Sequence, residues 1–121
     1  MKSLRILLIE DNALISMMLS QMLAGMGHHV CASVASEVEA VTAATQYRPD
    51  MMIVDGTLGQ GSGISAVEEI LRAAPVAHVF VSGDPEKIQA RQPGAVVVRK
   101  PFRQAELVRA IEIALKAAAD C

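Results

Sequence analysis

Carboxylates, a hydroxyl or a lysine follow each of four short apolar runs in the sequence. These residues are Glu10 and Asp11 after residues 4–9, Asp55 after residues 51–54, Ser82 after residues 77–81 and Lys100 after residues 95–98. Short apolar runs bounded by turn residues are typical of buried strands. Ligands of open parallel sheets bind beyond the carboxyl ends of such strands. We therefore expect these side chains to meet at one edge of a parallel sheet.

The residue types at this edge indicate phosphoryl-transfer chemistry. Three carboxylates within a few ångströms repel one another unless a cation joins them, and Mg²⁺ prefers oxygen ligands of this kind. Lys100 would add a compact positive charge that suits a phosphate or Asp55 itself. Ser82 would bring a hydroxyl to the same place. Together these groups predict a site in which Asp55 is the nucleophile that takes a phosphoryl group.

The chain between these residues alternates strand and helix patterns. Strands are predicted at residues 4–9, 29–34, 51–55, 77–81 and 95–98, and helices at about 13–26, 37–46, 64–74 and 104–118, with at most a short helix at 85–91. Asn12, Ser36 and Asp84 are predicted helix caps. The first helix should face the core with Ile15, Met18, Leu19, Met22, Leu23 and Met26. This alternation predicts an α/β fold with a doubly wound parallel sheet.

Composition limits the function classes. Of the 121 residues 52% are hydrophobic, which argues against disorder, and the formal charge of -2 gives no general attraction to nucleic acid. No apolar run is long enough to span a bilayer, and the first residues lack a signal-peptide pattern. Cys31 and Cys121 have no metal-binding spacing. We expect a cytoplasmic domain that neither contacts nucleic acid directly nor inserts into a membrane.

The ordered set of Glu10-Asp11, Asp55, Ser82-Gly83 and Lys100-Pro101, each after its own strand, resembles the site of bacterial response-regulator receiver domains. These are the signal-receiving domains of two-component systems. The resemblance extends from Lys2 to about Leu115. It implies a flavodoxin-like fold with five parallel strands in the order 2-1-3-4-5.

The resemblance also implies a role for each matching acidic residue. Asp55 matches the phosphoacceptor. Asp11 and Asp55 match the ligands of Mg²⁺, with the backbone carbonyl of Thr57 as a third ligand. Glu10 stands where the family has a second acidic residue that touches the metal, usually through water.

The remaining matches concern the hydroxyl and the lysine. Ser82 corresponds to the residue that turns toward the phosphoryl group, and Lys100 to the lysine that pairs with it. The peptide bond before Pro101 is typically cis in this family. Phe80-Val81-Ser82-Gly83, together with Lys100-Pro101-Phe102, is similar to an atypical receiver subgroup with a Phe-x-Thr-Gly signature.

The sequence departs from the family pattern in two places. The usual aromatic residue of the fifth strand, three positions before the lysine, is Val97 here. Val97 is short and β-branched, so it cannot act as the usual rotamer switch. The segment from Ser82 to Lys100 is also shorter than usual by about one helical turn, which predicts a short or irregular fourth helix. We expect signalling to order residues 83–94 instead.

The resemblance implies that the partner is a sensor histidine kinase or a histidine phosphotransferase protein, and that a downstream protein receives the signal. Residues 1–121 are expected to form a single receiver domain without an output domain, and a homodimer is left open. Such a domain is not an enzyme, although it assists its own phosphorylation and dephosphorylation. Leu14 and Met17 lie off the inward face of the first helix, beside the acid pair. They are either a docking surface or scattered surface hydrophobes.

Two other functions remain open from the sequence. Asp55-Gly56-Thr57 echoes the end of the D-x-D-G-T motif of haloacid-dehalogenase-type phosphatases. In that motif the nucleophile would fall on Ile53, which cannot do this chemistry. The second alternative is an interaction module that keeps the fold but is not phosphorylated. The glycine-rich loop of residues 56–63 fits neither a dinucleotide-binding motif nor a P-loop and is interpreted as a flexible loop.

Overall fold

The computed structural model describes residues 2–59 and 61–119. Within this part of the chain, five parallel strands form one sheet in the order β2-β1-β3-β4-β5. The strands are β1 (Arg5–Ile9), β2 (His29–Val34), β3 (Met51–Asp55), β4 (Ala77–Ser82) and β5 (Val97–Arg99). The helices are α1 (Ala13–Gly25), α2 (Glu37–Tyr47), α3 (Gly63–Ala73), α4 (Pro85–Arg91) and α5 (Gln104–Ala119). The predicted flavodoxin-like α/β fold is confirmed.

The helices cover both faces of the sheet, so its central strands are buried on both sides. Along β1, Ile6 and Leu8 pack with the residues of α1 and α5. Leu7 and Ile9 point the other way and pack with the residues of α2, α3 and α4. Alternate side chains of a strand point to opposite faces, which explains this division. A strand covered on both faces is expected to be apolar where it is buried, as residues 6–9 of β1 and 51–54 of β3 are.

The predicted caps start three of the helices. The side chain of Asn12 accepts hydrogen bonds from the N–H groups of Leu14 and Ile15, both at 3.0 Å. Ser36 accepts from the N–H of Glu39 at 3.2 Å. Asp84 accepts from the N–H of Lys87 at 3.3 Å and precedes a proline in the first turn of α4. No helix in the described part of the chain combines the length and the hydrophobicity needed to cross a membrane.

The structure differs from the sequence prediction at Met18 and in the bounds of the fifth strand. Met18 was expected to face the core, but it is 47% exposed. The fifth strand lies at Val97–Arg99 rather than residues 95–98, because its pairing with β4 runs from Val97 opposite Phe80 to Arg99 opposite Ser82. The fourth helix is short, as predicted. Its buried residue, Ile88, fixes it against the sheet.

Candidate functional site

Glu10, Asp11 and Asp55 meet at the carboxyl edge of the sheet. Ile9 of β1 lies beside Val54 of β3, so the acidic residues that follow them are neighbours. One carboxylate oxygen from each of the three residues lies within 4.8 Å of the others. Glu10 and Asp55 are buried, whereas Asp11 is exposed. The predicted convergence of the three carboxylates is therefore confirmed, and the cluster opens to solvent on the Asp11 side.

Lys100 reaches this cluster from β5. Its Nζ lies 3.6 Å from Oε1 of Glu10 and 3.6 Å from Oδ2 of Asp55. The backbone places it there, because the N–H of Lys100 donates to the carbonyl of Ser82 at 2.9 Å. The peptide bond between Lys100 and Pro101 is cis, as the resemblance implied. One lysine thus faces two of the three carboxylates.

The pKa of Glu10 is raised from 4.5 to about 7, mainly by burial. The nearby Asp55 carboxylate contributes to this rise, since two like charges resist ionising together. The N–H of Asn12, which donates to Glu10 at 3.0 Å, and the Lys100 ammonium both lower this pKa, but they do not offset burial. Additional positive charge at this cluster would therefore favour the ionised form of Glu10.

Ser82 ends β4 next to the Asp55 strand and is buried. Its Oγ accepts a hydrogen bond from the N–H of Asp84 at 2.9 Å, at the start of α4. Any turn of this hydroxyl toward Asp55 would therefore release the Asp84 N–H. Gly83, beside it, has open space, since a Cβ there would meet no atom within 4 Å.

Thr57 fixes one oxygen of Asp55. Its N–H donates to Oδ1 of Asp55 at 3.1 Å. Thr57 also forms an antiparallel bridge with Ser62, which closes the glycine-rich loop between β3 and α3. The N–H of Gly59 donates to Oδ2 of Asp11 at 2.6 Å. The loop predicted to be flexible is therefore tied to the acidic cluster through its backbone.

The donor set fits Mg²⁺. All the candidate ligands are oxygens: three carboxylates and the backbone carbonyl of Thr57. Hard divalent cations prefer such ligands, and one or two carboxylates are typical of a Mg²⁺ site. Burial is the largest cause of the raised pKa of Glu10, so a cation bound here would favour the ionised form of this carboxyl.

Val97 lies beside a buried aromatic residue of the neighbouring strand. It is half-buried and pairs with Phe80 of β4, which is completely buried. Ile88 of α4 fills the space on the other side of the site, where a Cβ at Gly56 would lie 2.7 Å from Ile88 Cδ1. A side chain at residue 56 would therefore have to displace the end of the Ile88 side chain, which shows that α4 packs directly against the residue after Asp55.

The candidate docking residues are exposed on α1. Leu14 is 70% exposed and Met17 is 54% exposed. Met18 joins them at the surface, so the apolar surface is larger than the sequence predicted. Met17 also lines a shallow hollow with Glu10 and Asp11, which places this surface next to the acidic cluster.

Sequence reasoning missed two residues that hold the site. Glu37 follows the predicted cap Ser36 and was given no role at the site, but its Oε1 accepts the N–H of Ser62 at 3.0 Å. Gly59 was interpreted as a loop glycine, but its N–H binds Asp11. Neither contact has a local sequence signal, because the partners lie 25 and 48 positions apart.

The fold and the site together define a signal-receiving α/β domain with an acidic pocket, and comparison with known proteins gives the family. The protein-family model described as the response regulator receiver domain matches residues 6–112 of this chain. The chain belongs to this family, whose members are signalling domains that act with kinases or downstream targets.

Three relatives illustrate the similarity. The phyllosphere-induced regulator PhyR of Methylorubrum extorquens is 35% identical over 114 residues, which are 91% of this chain and 43% of PhyR. The chemotaxis protein CheY of Thermotoga maritima is 30% identical over 112 residues, which are 88% of this chain and 93% of CheY. The solution structure of the receiver domain of Erythrobacter litoralis PhyR superposes with a TM-score of 0.85 at 32% identity, covering 94% of this chain and 91% of that domain. This chain thus spans less than half of the first relative and nearly all of the second.

Proposed function

We propose that this domain accepts a phosphoryl group on Asp55 from a phosphohistidine of a partner protein. The observation that carries the proposal is the setting of Asp55. Its carboxylate is buried at the sheet edge, 3.6 Å from Lys100 Nζ and beside two further carboxylates. Membership of the receiver family supports the same function.

Asp11, Asp55 and the carbonyl of Thr57 would hold Mg²⁺, with Glu10 in contact through water. When bound, the ion supplies positive charge for the phosphoryl oxygens. Glu10, whose pKa is raised by burial, would then ionise more easily. The negative charges of Asp11, Asp55 and Glu10 would thus be balanced by the ion and Lys100 together.

The transfer itself needs little from the protein beyond position and charge. A carboxylate oxygen of Asp55 forms a bond to phosphorus while the bond from phosphorus to the partner's imidazole nitrogen breaks. The imidazole leaves with the electron pair of that bond. Lys100 orients the phosphoryl oxygens, and the Ser82 hydroxyl turns toward them and donates a hydrogen bond. That turn breaks the hydrogen bond from the Asp84 N–H to the Ser82 hydroxyl and so affects the start of α4.

The partner would be a sensor histidine kinase or a histidine phosphotransferase protein, and the signal would pass on by protein contact or by phosphorelay. We also propose a cytoplasmic location, in line with the sequence-based expectation. Leu14 and Met17 are the proposed contact residues, because they are apolar, exposed and adjacent to the acidic cluster. Homodimer formation stays a prediction.

The phosphatase alternative is weaker in the light of the structure. Its nucleophile would be residue 53, but Ile53 is 1% exposed in the middle of β3 and carries no reactive group. The unphosphorylated interaction module is the remaining competitor. It would have no need for Lys100 to face Glu10 and Asp55.

Three assays separate the candidates. Incubation with a phosphorylated histidine kinase or phosphotransferase and Mg²⁺ should move the label onto this domain. Acetyl phosphate should also leave a phosphoryl group on the protein, whereas an interaction module would retain none. Sustained turnover of p-nitrophenyl phosphate would instead indicate a phosphatase and would contradict the proposal.

A further inference from the structure

The loop between β3 and α3 is held by carboxylates from two other parts of the chain. Asp11, which follows β1, accepts the N–H of Gly59 at 2.6 Å. Glu37, the first residue of α2, accepts the N–H of Ser62 at 3.0 Å. Asp11 belongs to the proposed cation site, whereas Glu37 has no assigned role there. Its contact is half-buried, so the hydrogen bond is partly shielded from water.

Ser62 connects Glu37 to the proposed Mg²⁺ ligands. It pairs with Thr57 in the antiparallel bridge across the loop. Its side chain caps α3 by accepting the N–H of Ile64 at 3.1 Å. Thr57 in turn donates its N–H to Oδ1 of Asp55. Because Ser62 bridges to Thr57, a carboxylate that fixes the Ser62 backbone also helps to hold Thr57 beside Asp55.

Gly61 lets Glu37 approach the loop. Its φ is +84°, a backbone conformation that residues with a Cβ rarely adopt. A Cβ at this position would also lie 2.7 Å from both Cβ and Oε1 of Glu37. Gly61 is therefore required for the hydrogen bond between Glu37 and Ser62.

We propose that Glu37 is a positioning residue for the Mg²⁺ site, which it serves by fixing the Thr57 carbonyl through Ser62. This inference rests on the proposed function, because it assumes that Thr57 is a ligand. A ligand that is already in place binds a cation more tightly, since less order is lost on binding. Residues that orient metal ligands from behind typically change metal affinity by about 10- to 100-fold when they are removed.

The test is a titration of the full chain with Mg²⁺, followed by calorimetry, for three proteins that differ at one position. Glu37→Ala should weaken Mg²⁺ binding by about tenfold, because the Ser62 N–H loses its acceptor. Glu37→Gln removes the same charge but keeps an acceptor oxygen. It should therefore bind Mg²⁺ within about twofold of the wild type. Equal weakening in both variants would show an effect of charge and would overturn the positioning role.

Two further variants act as controls. Glu39→Gln removes a carboxylate from the same helix that lines the hollow together with Glu10 and Asp11, and should leave Mg²⁺ affinity unchanged within about twofold. Gly61→Ala should weaken Mg²⁺ binding as Glu37→Ala does, because its Cβ displaces the Glu37 side chain. Wild-type Mg²⁺ affinity in this variant would overturn the inference even if Glu37→Ala does not fold.

The outcomes also separate this inference from the proposed function. Asp11→Asn and Asp55→Asn should each remove most Mg²⁺ binding. Retained binding in both would contradict the proposed site as a whole. Loss in both, with wild-type affinity in Glu37→Ala and Gly61→Ala, would overturn the role of Glu37 alone.

Discussion

At the scale of single residues, the charge of Lys100 separates two tasks of the site, the binding of Mg²⁺ and the stabilisation of the phosphoryl group. Its ammonium faces Asp55 and Glu10 at 3.6 Å, but a cation cannot ligate a metal ion. Its charge is therefore available to the phosphoryl oxygens, as a compact point charge. Binding of Mg²⁺ and stabilisation of the phosphoryl group should depend on different residues.

We expect Lys100→Ala to bind Mg²⁺ with at least wild-type affinity, because a nearby positive charge is removed. Phosphorylation by acetyl phosphate should slow by about two orders of magnitude, and the signal should be transmitted poorly. Calorimetry and phosphorylation kinetics measure the two effects, with the exposed Lys116→Ala as a control. Loss of Mg²⁺ affinity with normal transmission would show that the division of roles is wrong.

The raised pKa of Glu10 predicts that the stability of the protein depends on pH. Burial and the neighbouring Asp55 raise its pKa from 4.5 to about 7, so between these pH values the folded protein binds more protons than the unfolded chain. The free energy of unfolding of the metal-free protein should then be highest below pH 4.5, as far as Glu10 is concerned, and decline as the pH rises toward 7. The contribution is at most about 3 kcal/mol.

Urea unfolding between pH 4.5 and 7.5 measures this decline. The Glu10→Gln variant cannot ionise and should show a flatter profile, whereas the exposed Glu112→Gln should keep the wild-type profile. Saturating Mg²⁺ should also flatten the profile, because it favours the ionised form. An unchanged decline in Glu10→Gln would assign the effect to another group.

At the scale of elements, the strands and most helix starts could be predicted because their signals are local. Apolar runs marked the strands, and Asn12, Ser36 and Asp84 marked helix starts through single side chains. The exposure of Met18 could not be predicted, since neighbouring elements decide how wide a helix face is covered. The tie from Glu37 to Ser62 was missed for a related reason, because the fold alone brings these positions together.

The same distinction applies to the acidic site. The convergence of Glu10, Asp11 and Asp55 followed from strand ends in a parallel sheet, a rule that needs no knowledge of distant contacts. The hydrogen bonds that hold the glycine-rich loop did not follow from this rule. The N–H groups of Gly59 and Ser62 donate to side chains that are distant in the sequence. Side-chain types predict the chemistry of a site more readily than they predict its backbone support.

The element that should respond to phosphorylation is α4. It has seven residues and one buried side chain, Ile88, so its local stability should be low. When Ser82 turns toward the phosphoryl group, the space that it leaves cannot be filled by Val97, whose side chain is short and stiff. We expect α4 to pack into this space and become more ordered.

Hydrogen exchange with and without beryllofluoride, a mimic of the phosphoryl group, tests this expectation. Protection should rise mainly in residues 83–94, and less in the long helix α5. The Asp55→Asn variant, treated in the same way, should show no such rise. If the segment is already fully protected in the free protein and the mimic leaves it unchanged, α4 is not the responsive element.

At the scale of the whole molecule, the two sides of the sheet offer different surfaces. Leu14, Met17 and Met18 form an exposed apolar surface on α1, next to the acidic cluster. Val38 is as strongly exposed, at 77%, but belongs to α2 on the other face of the sheet. A partner that brings a phosphohistidine to Asp55 should contact the first surface and leave the second free.

We therefore expect Leu14→Asp and Met17→Asp each to slow phosphoryl transfer from a histidine-containing partner by about tenfold, because a hot-spot contact is lost. Phosphorylation by acetyl phosphate, which needs no docking, should stay at the wild-type rate. Val38→Asp is the matched control and should affect neither reaction. Equal rates of partner-dependent transfer in all three variants would show that docking takes place elsewhere.

The central claim, that Asp55 is the residue that takes the phosphoryl group and that it does so with Mg²⁺, is tested most directly by the mass of the intact protein after incubation with acetyl phosphate. The account predicts one added phosphoryl group in the wild type with Mg²⁺, none when Mg²⁺ is removed by a chelator, and none in Asp55→Asn. A Ser82→Ala control should still carry the group, because the hydroxyl only responds to it. An adduct of equal size and yield on Asp55→Asn would contradict the account.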